Sequence, residues 1–136
     1  HYDEVGNVTL RERYEDGQLK GIEETSVELY DDGTVKSTAP LTDGKIDGLY
    51  SEYWPNGARR EETTYVRGIA NGESVIYWNN GKVREKGNNY NGRRQGVWLT
   101  FTRGGNLSIR ATYSSGLLNR QYFSCCSPIG LLVFLR

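Results

Sequence analysis

Carboxylates are the residues of this 136-residue sequence that could carry acid–base chemistry, because its one histidine is His1. With the imidazole confined to that position, no Ser–His or Cys–His nucleophile pair can be assembled. Glu61 and Glu85 occupy equivalent places in two similar segments, which would put them about 9–10 Å apart on neighbouring hairpins. Inverting glycosidases hold their two carboxylates roughly 6.5–9.5 Å apart. Repetition alone explains this spacing, and we therefore expect a chain that is not an enzyme.

Residues suited to metals or cofactors are few. The segment 43–48 clusters carboxylates in a turn, but it lacks the number of ligands and the terminal bidentate Glu that calcium loops use. The two cysteines, Cys125 and Cys126, are adjacent, so they fit neither an ordinary disulfide nor zinc-ligand spacing. We expect them to be small apolar filler, with lipid attachment or a disulfide to a partner as alternatives. The sequence therefore predicts no cofactor and no metal site.

Aromatic side chains are the other candidate functional groups, with ten Tyr, three Trp and three Phe. Side-chain alternation along the predicted strands puts Tyr50, Trp54, Trp78 and Trp98 on one row, mixed with Glu, Ser and Thr. Such a mixture is typical of a half-exposed recognition surface, and we predict that these four rings bind a partner. The alternative is that the rings only pack between adjacent strands. The opposite row, from Leu49 to Phe101, is predicted to be the packed side, because its column of Leu29, Tyr53, Tyr77 and Phe101 is apolar in every copy.

Regularly spaced glycines indicate the elements that position these side chains. Three similar segments begin 24 residues apart. Their structural glycines are Gly48, Gly57, Gly68, Gly72, Gly81, Gly92, Gly96, Gly105 and Gly116. The pairs Asn56-Gly57 and Asn80-Gly81 predict tight hairpin turns in which both central residues have positive φ. The glycines that follow, such as Gly68 and Gly72, are predicted to bracket a longer turn.

This spacing predicts an all-β fold, an elongated single-sheet antiparallel meander of repeated β-hairpins with a 24-residue period. Nine strands are expected, at about 8–14, 22–30, 34–41, 48–54, 58–66, 73–79, 82–90, 97–103 and 106–113. The repeat array spans 1–116. It consists of a half repeat at 6–20 and repeats at 21–47, 48–71, 72–95 and 96–116. Residues 117–136 form a C-terminal capping tail.

Charge and hydropathy limit the classes of partner that the chain could bind. The sequence has 17 basic and 17 acidic residues, and this balance argues against nucleic-acid binding and against attraction to anionic lipid. The apolar stretch 129–135 is far shorter than the roughly 20 residues of a membrane-spanning helix, so no integral membrane segment is expected. Open sheet edges would allow a homodimer. A cytoplasmic location and export, with a signal peptide removed before His1, are both compatible with the sequence.

The repeat unit resembles a known family. Tyr65, Gly68 and Gly72, and again Tyr113 and Gly116, resemble the Tyr-x-x-Gly-x-x-x-Gly element of MORN repeats (membrane occupation and recognition nexus). The fuller unit, with an aromatic residue before Asn-Gly, is similar to the bacterial MORN variant of the YwqK-type antitoxin family. The likeness covers residues 6–116. It departs where Tyr90 is shifted by one place and where Leu41 replaces a tyrosine.

This resemblance implies a β-hairpin array that binds proteins, with lipid association proposed for some members. The antitoxin family implies a non-catalytic chain that neutralises a toxin or effector by binding it. A protein-interaction module, antitoxin-like or a scaffold, is therefore the first hypothesis. A carbohydrate or cell-wall binding module is the second, and a structural or membrane-peripheral repeat spacer is the third.

Overall fold

The computed structural model describes the backbone of residues 2–3, 6–15, 17–123 and 131–133, and the side chains of residues 17 and 24–121. Within these residues the chain forms one antiparallel sheet of thirteen strands and no helix. The strands are β1 (Tyr2–Asp3), β2 (Gly6–Glu15), β3 (Gln18–Leu29), β4 (Val35–Thr42), β5 (Lys45–Ile46), β6 (Gly48–Tyr53), β7 (Arg59–Val66), β8 (Ile69–Tyr77), β9 (Val83–Tyr90), β10 (Arg93–Phe101), β11 (Leu107–Ser114), β12 (Leu117–Phe123) and β13 (Leu131–Val133).

The order of strands across the sheet follows the order of the sequence, and only the short β5 lies off this path, paired with β4. The predicted open meander of hairpins is therefore confirmed. Each of the nine predicted strands has an observed counterpart, although β3 runs through the predicted unit boundary at residue 21. Beyond residue 116, β12 pairs with β11 and β13 pairs with β12, so the C-terminal segment extends the sheet.

The turns that join the strands along one side of the sheet, which we call one edge of the ribbon, have three residues, not the two that the Asn-Gly pairs predicted. Between β6 and β7 the N–H of Gly57 donates to the carbonyl of Trp54 at 2.9 Å, and the N–H of Trp54 donates to the carbonyl of Ala58 at 2.8 Å. Gly57 has a φ of 86°, whereas Asn56 is not among the residues with positive φ. This is a type I turn followed by a left-handed glycine. Pro55 suits this turn, because its ring fixes a negative φ at the first central position. The same hydrogen bonds form around Gly33, Gly81 and Gly105, where no proline is present.

The turns at the opposite edge are the two-residue ones. Arg67 and Gly68 have φ values of 48° and 82°, and Val66 pairs directly with Ile69 on either side of them. Two consecutive residues with positive φ define a type I′ turn, whose twist matches that of the flanking strands. Asp43-Gly44, Asn91-Gly92 and Ser115-Gly116 have the same conformation. The longer turn predicted between Gly68 and Gly72 is therefore wrong.

Alternation of side chains gives the ribbon two faces. The tryptophan face carries Tyr50, Trp54, Trp78 and Trp98, and the open face carries the row from Leu49 to Phe101. Six of the seven buried residues among those described lie on the tryptophan face: Ser37, Ala39, Thr63, Ser74, Trp98 and Ala111. On the open face Leu49 is 49% exposed and Val97 is 40% exposed. The assignment of the open face as the packed side is therefore wrong.

The reason for this reversal is that the described residues form a single layer, so each face is covered only by its own side chains. Large rings can cover a face by lying flat over small neighbours, whereas Leu and Val side chains project away from the sheet. Trp98 lies opposite Ala111 and is 3% exposed. A Cβ added at Gly87 would overlap the indole of Trp98. The absence of a side chain at Gly87 thus leaves the room that the Trp98 ring occupies.

We expect Gly87→Ala to lower the free energy of unfolding by about 1–3 kcal/mol, because the added methyl would displace the buried indole of Trp98. The denaturant midpoint of the purified chain measures this. Gly104→Ala is the matched control, since a Cβ there meets only the Thr102 hydroxyl at 3.8 Å and Gly104 has no positive φ. Equal losses for the two variants would contradict the packing described here.

Candidate protein-binding surface

An aromatic column runs along the edge of the three-residue turns. Tyr30, Trp54 and Trp78 stand just before three successive turns, and each donates a hydrogen bond to a carbonyl in the next repeat. The Tyr30 hydroxyl donates to the carbonyl of Tyr53 at 2.6 Å. The indole N–H groups of Trp54 and Trp78 donate to the carbonyls of Tyr77 and Phe101 at 3.3 Å and 3.2 Å. These bonds couple each hairpin to its successor.

A cation covers each ring of the aromatic column. The pairings Glu52↔Glu61 and Tyr53↔Arg59 leave Arg60 as the extra residue of a β-bulge. Its guanidinium lies 4.5 Å from the centre of the Trp54 ring. Arg84 stands 4.8 Å over Trp78, and Lys36 stands 6.0 Å over Tyr30 at equivalent bulges. Bulges redirect side chains, and here they place a cation over each aromatic face.

Hydrogen bonds between repeats also involve the turns themselves. Asn56 Nδ2 donates to the carbonyl of Asn79, and Asn80 Nδ2 donates to the carbonyl of Arg103, both at 2.9 Å. At the opposite edge the glycine N–H groups of the type I′ turns reach back to an earlier repeat. These bonds are Gly68 to Ile46 at 2.7 Å, Gly92 to Ala70 at 2.8 Å and Gly116 to Arg94 at 2.9 Å. Both edges of the ribbon are therefore tied from repeat to repeat.

The four aromatic residues predicted to bind a partner all make packing contacts within the chain. Trp98 is buried, donates to the carbonyl of Asn88 at 3.0 Å and lies 4.1 Å from the guanidinium of Arg94. Tyr50 is half-buried and meets the Tyr65 ring edge-on, with centroids 6.1 Å apart. Trp54 and Trp78 are half-buried members of the aromatic column. Partner binding by these rings stays a prediction.

The carboxylates weighed for catalysis are engaged on the same face. Glu85 accepts from Arg94 at 2.6 Å and from the Thr100 hydroxyl at 3.4 Å. Glu61 accepts from the Thr63 hydroxyl at 2.9 Å. The Glu85–Arg94 pair joins two adjacent strands and also places the guanidinium over Trp98. In this arrangement both carboxylates act as acceptors within the sheet.

The open face carries all the large apolar side chains that are exposed in the part of the chain with described side chains. They are Val35, Leu49, Val66, Ile69, Tyr90, Val97, Leu107 and Leu117. Tyr90 and Leu117 are the most exposed, at 68% and 73%. Sequence reasoning did not single out Val66, Ile69, Tyr90 or Leu117 as surface residues. The sequence feature that could have identified them is the two-residue turn next to each of them, because the residues beside such a turn lie at the end of a strand, where few neighbours cover them.

A depression of about 210 Å³ lies on the open face between β9 and β10. The two strands pair at Gln95↔Asn88 and again at Leu99↔Lys86, and the register slips between these points. The lining includes Val97, Leu99, Glu73 and Lys86. A slip of the same kind separates the pairings Tyr65↔Ala70 and Thr63↔Ser74 one repeat earlier, where Ser74 takes the place of Trp98, so the slip is a feature of the repeat. On the open face it leaves an apolar recess among charged groups.

Hydrogen bonding within the aromatic column makes a measurable contribution to stability. Trp78→Phe keeps a ring beneath Arg84 but removes the indole donor to Phe101, so we expect a loss of about 1 kcal/mol. The carbonyl of Phe101 would then lack the hydrogen bond that the indole N–H donates to it. Denaturant unfolding measures the loss. Trp78→Ala should cost more, because it also removes the ring, and equal costs for the two variants would exclude a contribution from the ring.

The raised pKa of Tyr77 predicts how the stability of the fold depends on pH. Burial raises the pKa of Tyr77, and so does the hydrogen bond of 2.8 Å from its hydroxyl to Glu62. The neutral phenol therefore stabilises the fold fully below the unfolded pKa of about 10, and this contribution is lost as pH rises through the folded pKa.

We expect the urea midpoint to fall as the pH rises above about 10, and to fall less for Tyr77→Phe. Burial also raises the pKa of Tyr50 and of Tyr65, so part of the decline should remain in that variant. Tyr53→Phe, one repeat earlier, is the matched control. A decline that is the same with and without the Tyr77 hydroxyl would argue against this assignment.

Comparison with known proteins agrees with the hairpin repeats. The model of the MORN repeat variant matches residues 46–67 and 70–91, which hold the hairpins β6–β7 and β8–β9. No curated protein and no solved structure matches the chain. In the part of the chain that the structure describes, no helix has the length and apolar character needed to cross a membrane. The chain therefore carries MORN-variant repeats in the middle of its sheet.

Proposed function

We propose that the chain is a non-catalytic protein-interaction module whose docking surface is the open face. The observation that carries this proposal is the collection of exposed apolar side chains on that face, from Leu49 to Leu117. Soluble proteins seldom expose large contiguous apolar patches unless the patch binds something. MORN repeats are in general modules that interact with proteins or membranes, which is compatible with a binding role.

In its specific form the proposed function is antitoxin-like. The partner would be a toxin or effector protein, held on the open face and thereby neutralised. The resemblance of residues 6–116 to the bacterial MORN variant of the YwqK-type antitoxin family supports this form. The hydrogen bonds that occupy Glu61 and Glu85 support the non-catalytic part, because these carboxylates were the candidate acid–base pair.

Carbohydrate binding receives less support from the geometry. Sugar rings stack on exposed aromatic faces, and the Trp54 and Trp78 rings already carry guanidinium groups. Arg60 lies over Trp54, while Arg84 and Arg103 both lie over Trp78, the latter at 5.4 Å. A ligand would have to displace these cations before it could stack. The open face needs no such rearrangement.

The test compares the two faces directly. With the partner captured from the source cells and then purified, Leu49→Asp combined with Val97→Asp should weaken binding at least about ten-fold, because charges would enter a desolvated contact. The melting temperature should change little, since both side chains are already exposed. Calorimetric titration and thermal unfolding measure the two quantities.

The matched variant on the tryptophan face is Trp54→Ala with Trp78→Ala. It should lower the melting temperature and leave the affinity for the partner nearly unchanged, because these rings hold successive repeats together. The reverse result, with affinity lost in the tryptophan variant and kept in the Leu49 and Val97 variant, would move the docking surface to the tryptophan face.

A further inference from the structure

One end of the sheet is basic, although the total charge of the chain is zero. Residues 86–136 contain seven basic residues and no acidic one. Glu85 is therefore the one carboxylate that strands β9 to β13 can contribute, and it lies on the tryptophan face, where it accepts from Arg94 at 2.6 Å. Because the strand order follows the sequence, β9 to β13 form one end of the sheet. The open face of these strands has no carboxylate of its own to neutralise a cation.

Three exposed cations lie on the open face at this basic end. Lys86 and Arg110 both pair with Leu99, one from each neighbouring strand, so their backbones are about 10 Å apart. Arg93 pairs with Tyr90 across the type I′ turn, at most about 20 Å from Leu99 along β10. All three side chains are exposed. None of them forms an ion pair with another residue whose side chain the structure describes.

Two depressions accompany these cations. Lys86, Val97 and Leu99 help to line the depression of about 210 Å³ between β9 and β10. A second depression, of about 300 Å³, lies beside the turn that joins the same two strands. Its lining residues are Tyr90, Asn91, Arg93, Gln95 and Ser115. The open face of β10 thus runs from a polar recess with one cation to an apolar recess with another.

We propose that the partner held on the open face presents a short acidic protein segment that includes an apolar residue, bound along β10. The apolar side chain enters the depression beside Val97 and Leu99, and the carboxylates of the segment pair with Lys86, Arg93 and Arg110. An extended segment of about seven residues spans the distance of about 20 Å between the two recesses. This inference rests on the proposed function, because it specifies the chemistry of the partner at the same face.

Charge complementarity favours a short segment over a long polyanion. Glu73 is exposed on β8 and lines the apolar depression from that side. On β7, Glu62 pairs with Arg59. A nucleic acid or a flat anionic membrane would extend over these carboxylates, whereas a segment that follows β10 keeps its own carboxylates on the side away from them. An apolar side chain also buries the exposed Val97, which a phosphate group would not do.

Peptide binding to the full chain tests this inference. The probe is a fluorescein-labelled peptide, Glu-Ser-Glu-Ser-Leu-Ser-Glu, which in extended form has three carboxylates and one leucine on the same side. At about 50 mM NaCl, fluorescence anisotropy should show it binding at least about ten-fold more tightly than the same peptide with Gln for Glu. About 500 mM NaCl should remove most of this difference, because salt screens exposed charges. Replacing the leucine with Ser should also weaken binding, because the recess would stay empty.

Neutral variants of the chain locate the site. Neutralising the three cations should weaken binding of the Glu peptide at least about ten-fold, while circular dichroism shows a folded chain. This variant is Lys86→Gln with Arg93→Gln and Arg110→Gln. A matched variant removes three exposed cations from the middle of the sheet and should bind the peptide as the wild type does. It is Lys45→Gln with Arg59→Gln and Arg67→Gln.

The rim carboxylate gives a test in the opposite direction. Glu73→Gln should tighten binding of the Glu peptide about two-fold or more, because it removes a like charge beside the depression. Its affinity for the Gln peptide should stay as in the wild type. A damaged fold would not produce a selective gain in affinity.

Three results would overturn the acidic segment: no binding of the Glu peptide at about 1 mM, equal binding of the Glu and Gln peptides, or equal binding by the two triple variants. Binding of oligothymidylate or phosphatidylserine vesicles through the same cations, without peptide binding, would overturn it as well. The proposed function is measured separately with the purified partner. If the Leu49 and Val97 variant loses that partner while the Lys86, Arg93 and Arg110 variant keeps it, the acidic segment is refuted and the open face remains the docking surface.

Discussion

A single-layer sheet has no opposite layer to pack against, and the described part of this chain is built around that constraint. Each face must cover itself. On the tryptophan face, the ring of Trp98 lies over Gly87 and opposite Ala111, and the Arg94 guanidinium covers it in turn. The hydrogen bonds between repeats at both edges hold the rings of the aromatic column at a constant spacing. The open face has no comparable cover, and its exposed apolar side chains follow from the same constraint.

Much of the fold could be predicted from the spacing of glycines, because a hairpin requires its turn residues at fixed intervals. The strands, their order and the 24-residue period all follow from that spacing. The turn types did not follow, because Asn-Gly fits both a two-residue turn and the end of a three-residue turn. Pro55 favours the three-residue turn at one position, while Arg67-Gly68 adopts the two-residue turn without the usual Asn or Asp.

The two faces were harder to assign, because hydropathy was a misleading guide in the absence of a second layer. The Leu49 row is more apolar than the Trp54 row, and in a sandwich it would be the buried one. Here burial depends on side-chain size and on whether a large ring has a small residue beneath it on the neighbouring strand. Trp98 over Gly87 is therefore buried, while Val97 beside it is not. The cations over the rings could have been found from the sequence, since Lys36, Arg60 and Arg84 recur six residues after each member of the aromatic column.

The aromatic column ends at Thr102, which occupies the place of Trp78 one repeat later. The Thr102 hydroxyl accepts a hydrogen bond at 3.2 Å from the N–H of Asn106, within its own turn. Cooperativity in a linear array depends on the interfaces between neighbours, and the three ring-to-carbonyl links of the column join the four repeats from 21–47 to 96–116. These four repeats therefore share one cooperative unit, and its ring-to-carbonyl links stop at Thr102.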